Sequence, residues 1–184
     1  MKIIWIDTET TGLVPGKHGI YQLAYIVEID GDVKEEGELL FNPGPVEFTE
    51  EALKVNGRTK EEIENFQEAR FAKASFQTIM SKYVDKYNKA DKFIPAGYNI
   101  NFDLNMMRAW WESLGDKYFG SWFDYHSLDV MAIGMVERYF GRLALPNHKL
   151  ETLCTHYGIQ LKAHDAINDI RATRELFLKM ADNR

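Results

Sequence analysis

Ile3-Ile4-Trp5-Ile6 runs directly into Asp7-Thr8-Glu9-Thr10, so a short segment that is apolar on both alternating faces ends in two carboxylates. A strand with Ile4 and Ile6 on one side and Ile3 and Trp5 on the other must bury both faces. That happens in the middle of a sheet covered by other elements on each side. The two-residue period of a strand also puts Asp7 and Glu9 on a common face at its end. This one segment therefore demands a central strand, layers above and below it, and an acidic pair at the sheet edge where α/β folds gather their functional groups.

The remaining pattern agrees. Strands are predicted at residues 2–9, about 20–30 and about 33–42, with Gly31-Asp32 as the tight turn of an antiparallel meander. Helical spacing begins at Thr49-Glu50-Glu51-Ala52 and resumes at Thr59-Lys60-Glu61-Glu62, where Thr59 and Glu62 form a capping-box signature. A longer helix is expected around 69–88, a strand near 93–98, a helix at about 102–114 and a short strand near 125–129. Helices near 129–140, 149–157 and 165–181 complete the chain. Strands alternating with helices imply parallel pairing. The expected architecture is α/β: a mixed central sheet of about five strands, antiparallel in the first three and parallel after them, flanked by helices.

Neither a repeat nor a low-complexity linker divides the 184 residues, so residues 1–184 read as one domain. At this length roughly 70% of the unfolded chain's surface can be buried, so the fold needs no structural metal or disulfide. The single cysteine, Cys154, lies in an apolar pattern, excludes an internal disulfide and reads as a buried thiol. No signal-peptide core or membrane-length apolar run is present, and a reducing cytoplasmic setting is expected. The net charge of −6 argues against a protein that coats duplex DNA with lysine and arginine. Acidic enzymes act on nucleic acid when bound divalent cations supply the positive charge.

Two further segments carry acidic groups at element starts. Asn99-Ile100-Asn101-Phe102-Asp103 opens a helix whose inner stripe is Met107, Trp110, Trp111 and Leu114, with Asp103 in its first turn. His164-Asp165-Ala166-Ile167-Asn168-Asp169 opens the last helix, where Asp169 shares a face with Thr173, Leu176 and Met180. His164, five positions before Asp169, converges with it only from the loop ahead of the helix. Alone, Asp-x-Glu is commonly a solvated strand end, and an acid in a first turn commonly just complements the helix dipole. His18, His126, His148 and His156 read as satisfied surface or core residues.

Together, Asp7, Glu9, Asp103 and Asp169 come from three elements whose ends a sheet would bring to one edge. Four carboxylates in one pocket resist ionising unless divalent cations neutralise them. Oxygen ligands without a thiolate select Mg²⁺ or Mn²⁺ over zinc. Two such ions about 4 Å apart suit an in-line phosphoryl displacement.

The segments Asp-x-Glu-x-x-Gly, Asn-x-x-Phe-Asp and His-x-x-x-x-Asp resemble the three motifs of the DEDDh 3′–5′ exonuclease family, which includes the proofreading subunit of bacterial DNA polymerase III. The similarity extends through Pro43, Ala52 and Asn56-Gly57-Arg58-Thr59, and through Leu150-Glu151-Thr152-Leu153 and Tyr157-Gly158-Ile159. Ala163-His164-Asp165-Ala166 is also similar to the nuclease core of exonuclease I. The resemblance implies the RNase H-like exonuclease fold, with Asp7, Glu9, Asp103 and Asp169 holding two Mg²⁺ or Mn²⁺ ions, Asp7 bridging both, and His164 as general base. It further implies nucleotide contacts from Thr10, Gly12, Leu13, Asn99 and Phe102, although Leu13 could equally be a core residue at a strand exit. Gln22 departs from the family, standing where many relatives carry an acidic residue. Because the chain ends soon after its last helix, association with a polymerase, where it occurs, is expected without the tail by which a proofreading subunit is tethered.

What this implies is a stand-alone repair, processing or phage-type nuclease acting at the 3′ end of DNA, preferably single-stranded, with no membrane association. An exoribonuclease of the same family, oligoribonuclease-like or tRNA-trimming, is the alternative. Thr10-Thr11 leans toward the DNA-active members. A non-catalytic nucleic-acid-binding domain on the same fold is a third reading, disfavoured because a metal-free acidic pocket repels phosphate.

Overall fold

β1 (Lys2–Thr10) is the middle strand of a five-stranded sheet, with β2 (Ile20–Ile29) and then β3 (Asp32–Leu40) on one side and β4 (Ile94–Gly97) and then β5 (Leu128–Asp129) on the other. In this computed structural model, which describes residues 1–161 and 165–182, β2 and β3 pair antiparallel. β1 pairs antiparallel with β2 and parallel with β4, which pairs parallel with β5. The expected mixed sheet, antiparallel first and parallel later, is the one observed. Ile4, Trp5 and Ile6 are fully buried, as a doubly covered central strand requires.

The helices divide between the two faces. On one face α3 (Ala69–Ser81) and α4 (Ile100–Ser113) pack over Ile4, Ile6, Leu23 and Val27. Trp110 and Trp111 anchor that layer, Trp110 stacked on Phe41 at 4.4 Å and Trp111 edge-on to Phe76 and Phe119. On the other face lie α5 (Val130–Tyr139), α6 (Leu150–His156) and α7 (Ala166–Asp182). There Ile170, Leu176 and Met180 join Ile3, Trp5, Ala24 and Ile26, with Cys154 fully buried among them as expected. Burying each such side chain is worth roughly 1.5–3 kcal/mol, so both layers contribute to holding the sheet. The short helices α1 (Glu50–Asn56) and α2 (Lys60–Glu64) are capped by Thr49 and Thr59, the latter in the full capping box with Glu62.

Several boundaries move from where periodicity puts them. The β2–β3 turn is Asp30-Gly31, one residue early, because both residues adopt positive φ (52° and 92°), the geometry a two-residue hairpin needs. α3 stops at Ser81, well short of residue 88. There Val84 folds back into the core, and the carboxylate of Asp85 and the amide of Asn88 take the backbone N–H groups of Tyr87 and Ala90. The last strand shrinks to Leu128–Asp129 because Asp124 captures the His126 N–H in a similar local turn. α4 starts at Ile100 because Asn99 sits in the left-handed region (φ 58°), which asparagine tolerates. Among the described residues no helix is long and apolar enough to cross a membrane.

Candidate active site

Asp7 and Glu9 leave β1 on the face covered by α7, and the first turn of α7 brings Asp169 to them. One carboxylate oxygen from each of these three residues lies within 4.8 Å of the others. Asp169 continues the stripe of Thr173, Leu176 and Met180, all buried, so the helix that packs the core also aims the acid. Asp103 approaches from α4, on the opposite side of the sheet, and is only 4% exposed. The Thr8 backbone N–H (3.0 Å) and hydroxyl (2.7 Å) both donate to its Oδ1. The structure thus gathers the four carboxylates expected from the sequence at one sheet edge, three in a tight trio and Asp103 latched to β1 beside them. His164, the expected base, lies outside the described residues.

Crowding shows in the proton affinities. Burial, reinforced by the charges of Asp103, Glu9 and Asp169, holds the Asp7 carboxyl well above the usual carboxylate range. Glu9 is pushed up to about 8 by burial and then by Asp169, Asp103 and Asp165. Burial raises Asp103 to about 7 even though Thr8 bonds to its ionised form, with Asp129 pushing in the same direction as burial. Such a site takes up protons or cations at neutral pH. The donor set decides which cation fits: it is all oxygen, and burial keeps the Cys154 thiol protonated, its pKa raised to about 11. Hard divalent cations such as Mg²⁺ or Mn²⁺ match that chemistry.

Beside the acids opens a pocket of about 570 Å³ lined by Thr8, Glu9, Thr10, Gly12, Leu13, Val14 and Phe102, with α1 supplying Ala52, Val55 and Asn56. Leu13 is 78% exposed, which rules out the core alternative and leaves it at the pocket mouth. Phe102 is half-buried on the wall. Thr10 lines the pocket, but its hydroxyl donates to the Gly12 carbonyl at 2.9 Å. Gly12 is needed for close approach: a Cβ there would lie 2.5 Å from the buried His18 ring, whose Nδ1 accepts the Val14 N–H. The Asn99 side chain is exposed, and its backbone N–H donates to Asp129 at 3.0 Å. His18 is therefore the satisfied core residue expected, and His126 pairs with Asp124 on the surface.

Three contributors escaped the sequence reading. Thr8, between Asp7 and Glu9, supplies two donors to Asp103. Asp129 caps α5 through the Met131 and Ala132 N–H groups while holding the Asn99 backbone, and an acid just before an apolar helical pattern was a readable cap signal. Asp165 accepts the N–H groups of Asn168 and Asp169 on its carbonyl and so begins α7.

Comparison with known proteins gives a consistent picture. The RNase_T exonuclease family model matches residues 4–177. The chain is 24% identical over 178 residues to a PolC-type DNA polymerase III of Thermotoga petrophila, covering 96% of this chain and 12% of the polymerase. It is 25% identical over 183 residues to the oligoribonuclease of Bordetella pertussis, covering 97% of each. The structure of E. coli exonuclease I in complex with a dA16 oligonucleotide superimposes with a TM-score of 0.79 at 22% identity, over 100% of this chain and 41% of that one. The fold is accordingly the RNase H-like exonuclease fold, and the chain spans only a small part of the polymerase it matches.

Proposed function

The chain belongs to the exonuclease family whose model spans residues 4–177, and from that premise we propose a metal-dependent 3′–5′ exonuclease that releases nucleoside 5′-monophosphates, preferably from single-stranded DNA. The observation that carries this reading is the trio of Asp7, Glu9 and Asp169, with ligand oxygens within 4.8 Å of one another at the end of the central strand. Asp7, Glu9 and Asp169, with Asp103 beside them, would hold two Mg²⁺ or Mn²⁺ ions. These cations supply the positive charge that lowers the barrier to in-line attack on a phosphodiester. Asp103, latched by Thr8, keeps its carboxylate aimed at the same space. His164, ahead of α7, is the proposed group that takes the proton from the attacking water. Leu13 and Phe102, lining one pocket, receive the terminal nucleoside, with Thr10, Gly12 and Asn99 shaping the surrounding backbone.

The preference for DNA rests on how the pocket's hydroxyls are used. Thr8 and Thr10 donate inward to Asp103 and Gly12, and the Thr49 oxygen caps α1 by accepting from Ala52. The walls that remain are largely apolar, Leu13, Val14, Ala52, Val55 and Phe102, which suits a sugar without a 2′-hydroxyl. A second reading, an exoribonuclease, is favoured by the similarity to oligoribonuclease over nearly the full length of both chains. A reducing cytoplasmic setting suits the single buried thiol.

Matched 5′-labelled DNA and RNA oligomers, single- and double-stranded, incubated with Mg²⁺ or Mn²⁺, test the proposal. A ladder shortening from the 3′ end of single-stranded DNA, abolished by EDTA, is expected. A ladder on RNA alone would favour the second reading. Cleavage of a circular substrate, or activity persisting without divalent metal, would overturn both.

A further inference from the structure

The polar face of α7 is tied across the sheet at three places. Arg174 Nε donates to the buried Glu28 at 2.6 Å, and Arg171 Nη2 donates to Glu36 at 2.5 Å. The third tie, nearest the acidic site, is made by a glutamine. Gln22 is 5% exposed on β2 and stands directly opposite Glu9 in the β1–β2 register. Its Nε2 donates to Glu38 Oε2 at 2.6 Å and to Asp165 Oδ1 at 3.4 Å. Both partners are carboxylates, so the amide nitrogen, not the oxygen, must face them.

We propose that Gln22 is a positioning residue of the site: its amide clamps Asp165 to the sheet and thereby sets where α7 begins and where Asp169 points. The inference rests on the exonuclease reading for its consequence, though not for its geometry. The chain of contacts is continuous. Asp165 Oδ2 accepts from the Asn168 side chain at 2.7 Å, and the Asp165 carbonyl accepts the N–H groups of Asn168 and of Asp169 itself, each at 2.9 Å. Moving Asp165 therefore moves the backbone that carries the Asp169 carboxylate. Residues that act through such contacts are typically worth about 10–100-fold in metal affinity or activity.

The side-chain type is specific. Glu9, Glu38 and Asp165 surround position 22, so a carboxylate there would add like charge and supply no donor. An amide neutralises nothing, yet it satisfies two of these acids at once and leaves the Asp7–Glu9–Asp169 trio as the local seat for a cation. Glu38 anchors the other end of the brace on β3, which makes the start of α7 part of the sheet instead of a free helix end.

The test uses the full chain with Gln22→Glu, and with Gln22→Met, which keeps the volume but removes the amide. For both, kcat on a 3′-accessible oligomer at saturating Mn²⁺ should fall about 10-fold with KM changed less than about 2-fold. Amide exchange at Asn168 and Asp169, read by hydrogen–deuterium exchange, should accelerate about 10-fold as the first turn loosens. The double variant Gln22→Glu/Glu38→Gln restores an amide–carboxylate pair to β3 but leaves no donor facing Asp165, so it should not recover the lost turnover. Arg174→Met breaks a more distant tie and should lower the melting temperature while leaving kcat unchanged. Wild-type turnover and exchange in either single variant would overturn the proposal, as would recovery of wild-type turnover in the double variant. If the unaltered chain degrades no nucleic acid while exchange still responds to Gln22→Met, the brace stands and the nuclease reading falls.

Discussion

Replacing Glu9 by glutamine should make the metal-free protein more stable at pH 8, although it removes a residue proposed to be essential. Burial and the charges of Asp169, Asp103 and Asp165 raise the Glu9 carboxyl from 4.5 to about 8. The unfolded chain ionises this group near 4.5, whereas the native chain holds its proton until about 8. Between those values the native state binds more protons, so stability falls as pH rises through the window and the full cost is reached above it. At about 1.4 kcal/mol for each tenfold change in proton affinity, the upper limit is about 5 kcal/mol. Water at the pocket mouth and sharing of the repulsion with Asp7 reduce this to roughly 2 kcal/mol. For a domain of this size that corresponds to a rise in melting temperature of roughly 4–8 °C. Thermal melts in EDTA should show Glu9→Gln above wild type at pH 8 and level with it at pH 4.5, where the wild-type carboxyl is also protonated. Saturating Mg²⁺ should reverse the order, because wild type gains about 2.7 kcal/mol at 100 times the dissociation constant and the variant much less. A variant that melts at or below wild type in EDTA at pH 8, or gains equally at both pH values, would refute the argument.

Thr8→Val removes the hydroxyl that donates to Asp103 at 2.7 Å and leaves the backbone N–H as its remaining Thr8 donor. A loss of about 10-fold in kcat is expected, and steady-state rates unchanged from wild type would show that the latch is dispensable. Leu13→Ala alters a side chain that is 78% exposed, so stability should change by less than about 0.5 kcal/mol while KM for a short oligomer rises several-fold. An unchanged KM would remove Leu13 from the nucleotide pocket. His164→Ala should lower turnover by roughly 10²–10⁴-fold while retaining most of the metal-dependent melting shift. The acid limb of the pH–rate profile should vanish with it, and near-normal turnover at saturating metal would exclude His164 as the base.

The central strand, the layers on both of its faces and the acidic pair at its end were legible in ten residues. Apolar character at consecutive positions of a strand admits only double coverage, and a two-residue period admits only one shared face. The capping box at Thr59 and the inward stripe of α7 were equally local, each written in spacing along one element, and the antiparallel-then-parallel order followed from the succession of strands and helices along the chain. What spacing cannot carry is the meeting of elements far apart in the chain. Thr8 reaches Asp103 across 95 positions and Gln22 reaches Asp165 across 143, contacts that exist only once strand register and helix packing are set. The early stop of α3 also lay beyond periodicity, because the local turns at Asp85 and Asn88 and the burial of Val84 outweigh continued helical spacing. Leu13 illustrates the division most directly. Its apolar type was readable, but only the tertiary structure decided that it faces solvent beside the acids, since the Gly12–His18 contact turns the loop there and leaves no core for it to enter.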